Sequence, residues 1–268
     1  GCPLDLICNK GAGAGLMQRE KKLKQSLIGI TNTLSCPITV KMRTGWDEKK
    51  PFAHELVSKI QSWGIGGVAA VMVHGRSRLQ RYQKLANWEY ISQVASSQSD
   101  DFPRIPIIGN GDVFSYSDYE EKIKVDGVNA TAMLGRGALI KPWLPTEIKE
   151  RRHWDISASE RLDILKKFVN FGLEHWGSDQ KGVNNTRRFL LEWLSFLHRY
   201  VPVGLLEVVP QQMNQRPPAR MCGRSDLETL FLSKFSDDWV KISEMLLGPV
   251  PEGFKFEPKH KASSYSQA

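Results

Sequence analysis

The sequence predicts an α/β fold: a partial (β/α)8 TIM barrel, its C-terminal half, followed by an all-helical domain. Three observations predict it. Near-continuous apolar segments alternate with amphipathic ones up to about residue 150, which indicates parallel strands covered on both faces. Each apolar segment ends in a compact polar group, and a barrel builds its site from the C-terminal ends of several strands. A doubly wound sheet would gather such residues at one switch point. After residue 153 the alternation stops and only helical periodicity remains.

The strand candidates are PITVKM (37–42), VAAVMV (68–73), IPIIG (105–109) and GVNATAML (127–134). Helical stretches lie at 16–33, in PFAHELVSKIQSWG and in SYSDYEEKIKV. The repeat length suits successive strand–helix crossovers. Four whole strands plus the end of one more at Gly1 read as half of a barrel that lacks its N-terminal strands. In the second domain, Ser157-x-x-Glu160 opens a helix that Gly177 stops, and a second helix covers about 185–200. Ser225-x-x-Glu228 opens a third. A fourth runs from Asp237 to Leu247 before Gly248-Pro249. The expected boundaries are therefore 1–152 for the partial barrel and 153–250 for the helical domain. Residues 251–268 carry no apolar pattern and read as a disordered tail.

The 268 residues are 41% hydrophobic and 25% charged, with mean hydropathy −0.36, a net charge of +8 and a pI near 9.3. No apolar run is long enough to span a membrane. The placement of the charge says more than its sum. Between 181 and 224, seven Lys and Arg stand against Glu192 and Glu207, a net +5. This one-sidedness points to a polyanionic partner. The four cysteines form no C-x-x-C and accompany no histidine pair at zinc-ligand spacing, so no metal site is expected. They read as free thiols of a reducing compartment, cytoplasmic or nuclear.

The candidate chemistry sits at the strand ends. Lys10-Gly11-Ala12-Gly13-Ala14-Gly15 matches a dinucleotide fingerprint poorly. It reads either as a flexible turn or as a loop whose backbone passes close to a flat ligand. GNGD (109–112) and GRGA (135–138) end consecutive strands, where glycines let backbone amides approach a phosphate. Lys41 ends an apolar run and suits an electron-rich cofactor that becomes anionic. His74 ends the next strand in the same manner. Cys2, in Gly-Cys-Pro, reads either as a reactive thiol or as a buried one at a strand end.

GCP, KGAGAGLM, VKMRTGW, VHGRSR, GNGD and GRGA occur in this order, and together they resemble the tRNA-dihydrouridine synthases. HGRSRLQRYQKLANW and TRRFLLEWLSFLHRYVPVGLLE are most similar to the eukaryotic type-3 branch. The resemblance implies an FMN-bearing barrel, a helical domain that grips tRNA, and reduction of the uridine C5–C6 double bond, with NADPH as reductant. It implies that Cys2 protonates C5 while flavin delivers hydride to C6. Lys41 and His74 would contact the flavin. Asn110, Gly111, Asp112, Gly135 and Arg136 would hold its phosphate end. Arg43 and Arg76 would face the RNA or the uracil. The one-sided charge of the helical domain separately leads to the expectation that Arg187 and Arg188 contact tRNA phosphates. A thiol is protonated at neutral pH and donates without special tuning, and the target base must leave its stack to reach such a pocket. A monomer is expected. Two alternatives remain: a catalytically inactive, truncated isoform that binds RNA, and another FMN barrel oxidoreductase acting on a small molecule. The local +5 argues against the latter.

Overall fold

The computed structural model describes residues 1–124, 131–212 and 215–259. The chain divides into two units, one of residues 1–113 with 117–135, the other of 114–116 with 136 onward. The helical unit therefore begins at Arg136, not at 153.

In the first unit a short helix α1 (Asp5–Cys8) and a 3-10 segment (Gly13–Gln18) precede α2 (Glu20–Thr33). Then follow β1 (Ile38–Arg43), α3 (Ala53–Ser62), β2 (Val68–His74), α4 (Trp88–Ser96), β3 (Ile107–Asn110), α5 (Tyr116–Ile123) and β4 (Ala132–Met133). The strands form one sheet in the order β1-β2-β3-β4, every pair parallel. This is the expected α/β pattern, with each strand joined to the next through a helix. Of the anticipated fourth strand, residues 127–130 lie outside the described residues. Val71, Val73 and Ile107 of the strands and Leu56, Val57, Ile60, Ile91 and Val94 of the helices are buried. β1 departs from a two-sided covered strand, because Thr39 and Lys41 are exposed.

Helix α4 was not anticipated, although its signals are ordinary. The Asn87 side chain accepts from the Tyr90 backbone N–H, which satisfies a donor that the first turn leaves open. Trp88, Ile91, Val94 and Ala95 then form its buried face.

The second unit contains α6 (Arg136–Ile140), α7 (Leu144–Glu150), α8 (Ala158–Trp176), α9 (Gln180–Leu197), α10 (Asp226–Leu232) and α11 (Ser236–Leu247). Ser157 and Glu160 form the reciprocal capping box, and Gly177 ends α8 at φ 89°. Helix α9 starts five residues before the expected 185, because the Asp179 carboxylate accepts from Gly182 N–H. Ser225 caps α10, but the Glu228 carboxylate accepts from the Arg224 backbone and guanidinium instead of closing a box. Leu165, Val169, Leu190, Leu191, Leu194, Phe231, Trp239 and Ile242 form the core. The tail expectation needs correction up to residue 259. Phe256 packs against this core and Lys259 N–H donates to Glu192; residues 260–268 lie outside the described residues. No helix among the described residues is long and apolar enough to cross a membrane.

His198 packs against Trp239 with ring centroids 5.1 Å apart and the rings tilted by 32°, and contacts the Leu194 carbonyl at 3.3 Å. Burial lowers its pKa from 6.5 to about 4. The unfolded chain therefore takes up a proton that the folded one refuses. Stability held above pH 6.5 is lost as pH falls toward 4, with a slope of about 1 kcal/mol per pH unit. Denaturation of the protein across this range, compared with His198→Gln, should show a flatter curve for the variant; parallel curves would remove His198 as the cause.

Candidate active site at the strand ends

The parallel register brings the predicted residues of the first unit into one row. Arg43 pairs with His74, His74 with Asn110, and Asn110 with Met133. Residues in register in a parallel sheet point to the same face, and Lys41 stands two residues before Arg43 on that face. Lys41 Nζ donates to Asn110 Oδ1 at 2.8 Å, and Asn110 Nδ2 donates to the Met133 carbonyl at 2.8 Å. Burial, then the neighbouring Arg43 guanidinium, lowers the Lys41 pKa; burial likewise lowers that of Arg43. Two neighbouring cations, one of them buried, favour an anion beside them.

Cys2 is placed by its neighbours on both sides. Gly1 N–H donates to the Lys41 carbonyl at 3.1 Å, and Arg43 Nε donates to the Gly1 carbonyl at 3.0 Å. The Cys2 carbonyl accepts from Ala14 N–H at 2.9 Å and from Cys8 Sγ at 3.3 Å. Gly13 has φ 54°, and a Cβ there would lie 2.7 Å from the Cys2 oxygen. The glycine-rich loop is thus needed for close approach to the Gly-Cys-Pro backbone. Arg78 completes the clamp and was not anticipated. Its Nε donates to the Pro3 carbonyl at 3.2 Å, Nη2 pairs with Asp5, and the guanidinium lies 4.4 Å from the centroid of Trp46. The signal available was the second arginine of VHGRSR, two positions after Arg76. All four cysteines are free, and Cys2 is half-buried.

Four expected roles need correction. Arg76 is 1% exposed and forms a 2.6 Å ion pair with Asp112, with Nε on the Lys84 carbonyl at 2.6 Å. It therefore does not face RNA. Asp112 also accepts from Ala86 N–H at 2.6 Å, so its carboxylate tethers a loop and does not cradle a phosphate. Arg43 is buried, with Nη1 on the Ser77 carbonyl at 3.0 Å, and orders strand ends instead of facing RNA. Arg187, in the other unit, is also buried. It donates to Ser243 Oγ at 2.9 Å and to the carbonyls of Leu247 and Gly248 at 3.1 and 2.8 Å. Arg188 is exposed, as are Lys181 and Arg220.

His74 Nε2 lies 3.3 Å from Arg76 Nη1. Gly111 has φ 129°, and a Cβ there would lie 2.5 Å from Ala86 and 3.2 Å from the His74 ring. Its carbonyl accepts from Trp88 Nε1 at 3.0 Å. Gly135 is exposed at the end of the first unit, and Arg136 opens the second, 5.9 Å from the Phe114 ring centroid. Among the described residues no cluster of His, Cys, Asp and Glu is arranged to hold a metal.

The row, the thiol and the paired cations fit a flat cofactor that carries negative charge when reduced. Residues 1–196 match the family model described as Dihydrouridine synthase (Dus). The chain is 59% identical over 265 residues to the tRNA-dihydrouridine(47) synthase [NAD(P)(+)]-like protein of Xenopus laevis, covering 99% of this chain and 40% of that protein. The like-named proteins of Homo sapiens and Oryza sativa subsp. japonica are 56% and 53% identical, over 99% and 100% of this chain and 39% and 38% of theirs. The chain thus spans about two fifths of the length of these curated relatives. With its family-wide match extending from the Gly-Cys-Pro segment through all four strands, the chain belongs to the dihydrouridine synthase family.

Proposed function

We propose that the protein reduces the C5–C6 double bond of a uridine in tRNA to dihydrouridine, with FMN as its bound cofactor and NADPH as the reductant. The observation that carries this reading is the row of Arg43, His74 and Asn110, joined to Lys41 and beside a backbone-clamped Cys2. In this reading the sheet is half of a (β/α)8 barrel, the helical unit contacts tRNA, and the protein acts as a monomer in the cytoplasm or nucleus.

FMN, when bound, supplies the hydride that reaches C6 of the uracil. Lys41 would hold the flavin, its positive charge suited to a ring that is anionic when reduced. Asn110, whose oxygen accepts from Lys41 and whose nitrogen is held by Met133, fixes the direction of that ammonium. Cys2 supplies the proton to C5, so that hydride and proton add across the double bond and the resulting thiolate is reprotonated from solvent. Gly111 and Gly135 are assigned to the phosphate end. The test is reduction of the purified, flavin-loaded protein by NADPH followed by addition of unmodified tRNA. Dihydrouridine formed in step with flavin reoxidation supports the reading; reoxidation by tRNA without dihydrouridine overturns it.

Lys41→Ala should weaken FMN binding by roughly 10–100-fold, the range expected for one charge-assisted hydrogen bond. Quenching of flavin fluorescence on titration of the apo-protein measures it. An unchanged affinity would place Lys41 outside the flavin site.

A further inference from the structure

We infer that the buried Arg76–Asp112 ion pair locks His74 into its Nδ1-protonated neutral form. Arg76 and Asp112 then act as positioning residues for that imidazole. This departs from the roles in RNA contact and phosphate binding that the motifs suggested for them.

The argument begins with what each atom is able to do. A guanidinium only donates, so the nitrogen that meets it must accept. Arg76 Nη1 lies 3.3 Å from His74 Nε2, and Arg76 is 1% exposed. An Nε2–H tautomer would set two buried donors against each other. In a neutral imidazole, the hydrogen bond made by one nitrogen decides where the proton sits. The proton is therefore on Nδ1, the reverse of the preference of a free histidine side chain.

Three contacts keep Arg76 from turning away. Nη2 is held by Asp112 at 2.6 Å, and Nε by the Lys84 carbonyl at 2.6 Å. Tyr82 covers the guanidinium, with its ring centroid 5.6 Å from it and 6.4 Å from that of His74. Asp112 is itself held by Ala86 N–H and sits at φ 56°, a left-handed conformation uncommon outside glycine. The turn after β3 and the 84–86 loop thus converge on one guanidinium, and that guanidinium sets the proton of the histidine at the end of β2. His74 then presents a neutral N–H donor, suited to an acceptor atom of a bound heterocycle. That last consequence rests on the proposed flavin chemistry; the tautomer does not.

Long-range proton–nitrogen correlation NMR of the ¹⁵N-labelled protein, free of flavin and tRNA, reads the tautomer directly. The signal is assigned by its loss in His74→Gln. The expected result is an unprotonated Nε2 and a protonated Nδ1, in at least roughly fivefold excess over the other tautomer, as a buried unpaired donor requires. Asp112→Asn keeps a residue that tolerates the left-handed backbone but removes the charge that holds Arg76, and Arg76→Lys removes the fork. Either should yield a mixture in which Nε2–H reaches a comparable population. An Nε2–H or doubly protonated His74 in the unaltered protein overturns the inference, as does a tautomer unchanged in both variants. If neither variant folds, the unaltered protein's spectrum decides alone. A protein that shows Nδ1–H yet binds no FMN sinks the flavin reading and leaves the lock standing.

Discussion

Cys2→Ala should slow dihydrouridine formation by roughly 10²–10⁴ while leaving FMN binding and flavin reduction by NADPH nearly intact. The range is the usual contribution of a positioned general acid. The separation of the two half-reactions follows from the contacts. What holds this segment is backbone: the Cys2 carbonyl on Ala14 and Cys8, the Gly1 carbonyl on Arg43, the Pro3 carbonyl on Arg78. None of these uses the Cys2 sulfur, so removing it leaves the clamp in place. In the proposed reaction, only the uracil step would draw a proton from the thiol. Cys36→Ala and Cys222→Ala alter exposed residues and should change little. Cys8→Ala removes a buried sulfur and its contact to the Cys2 carbonyl, and should lower stability before it lowers rate. Single-turnover reoxidation of the reduced protein by tRNA decides the matter: a near-unaltered rate for Cys2→Ala removes it as the proton donor.

The parallel sheet was legible because buried strands in such a sheet are short apolar runs, and 37–42, 68–73 and 105–109 are that. Their positions agree with β1, β2 and β3 to within two residues. The helix at 88–96 does not stand out in the sequence, because its apolar residues follow a polar loop and its cap is a single asparagine. The Gly177 stop and the Ser157 box were legible because caps are local chemistry, carried by residues three or four apart. The start of α9 was not, since Asp179 gives no reciprocal pair.

At the site, the sequence revealed which residues gather but not which way they face. Arg43, His74 and Asn110 end successive strands, and register alone brings them into a row beside Lys41. Arg76 and Asp112 are 36 residues apart, and nothing local announces that they pair. A basic residue in a motif reads as a ligand contact until its acceptors are known. The same limit applies to charge counts. Of the seven cations between 181 and 224, Arg187 and Arg199 are buried, and Arg224 is paired with Asp155 and Glu228. The exposed cations that remain are fewer than the net +5 suggested.

Arg187→Ala and Arg188→Ala should separate the stability of the helical unit from its affinity for RNA, although the residues are adjacent. Arg187 reaches the end of α11, where the carbonyls of Leu247 and Gly248 have no partner within that helix. Its guanidinium joins those two carbonyls to Ser243 Oγ. Truncation leaves buried acceptors unsatisfied and opens a cavity between α9 and α11, which should cost about 3 kcal/mol and lower the melting temperature by roughly 10 °C. Arg187→Lys should not restore it, since one ammonium cannot span three acceptors in a fork geometry. Arg188 is exposed, so its loss should change stability by less than about 0.5 kcal/mol. Its removal should instead reduce the slope of log affinity for tRNA against log salt by about one, the signature of a lost phosphate contact. Thermal melts and a salt series on both variants measure the pair of effects. If Arg188→Ala melts early while Arg187→Ala is stable and flattens the salt slope, the inward assignment of Arg187 is wrong. If neither variant alters the slope, the RNA-facing surface of the helical unit lies away from the exposed side of α9, with Arg220 and the loop around it the next cations to replace.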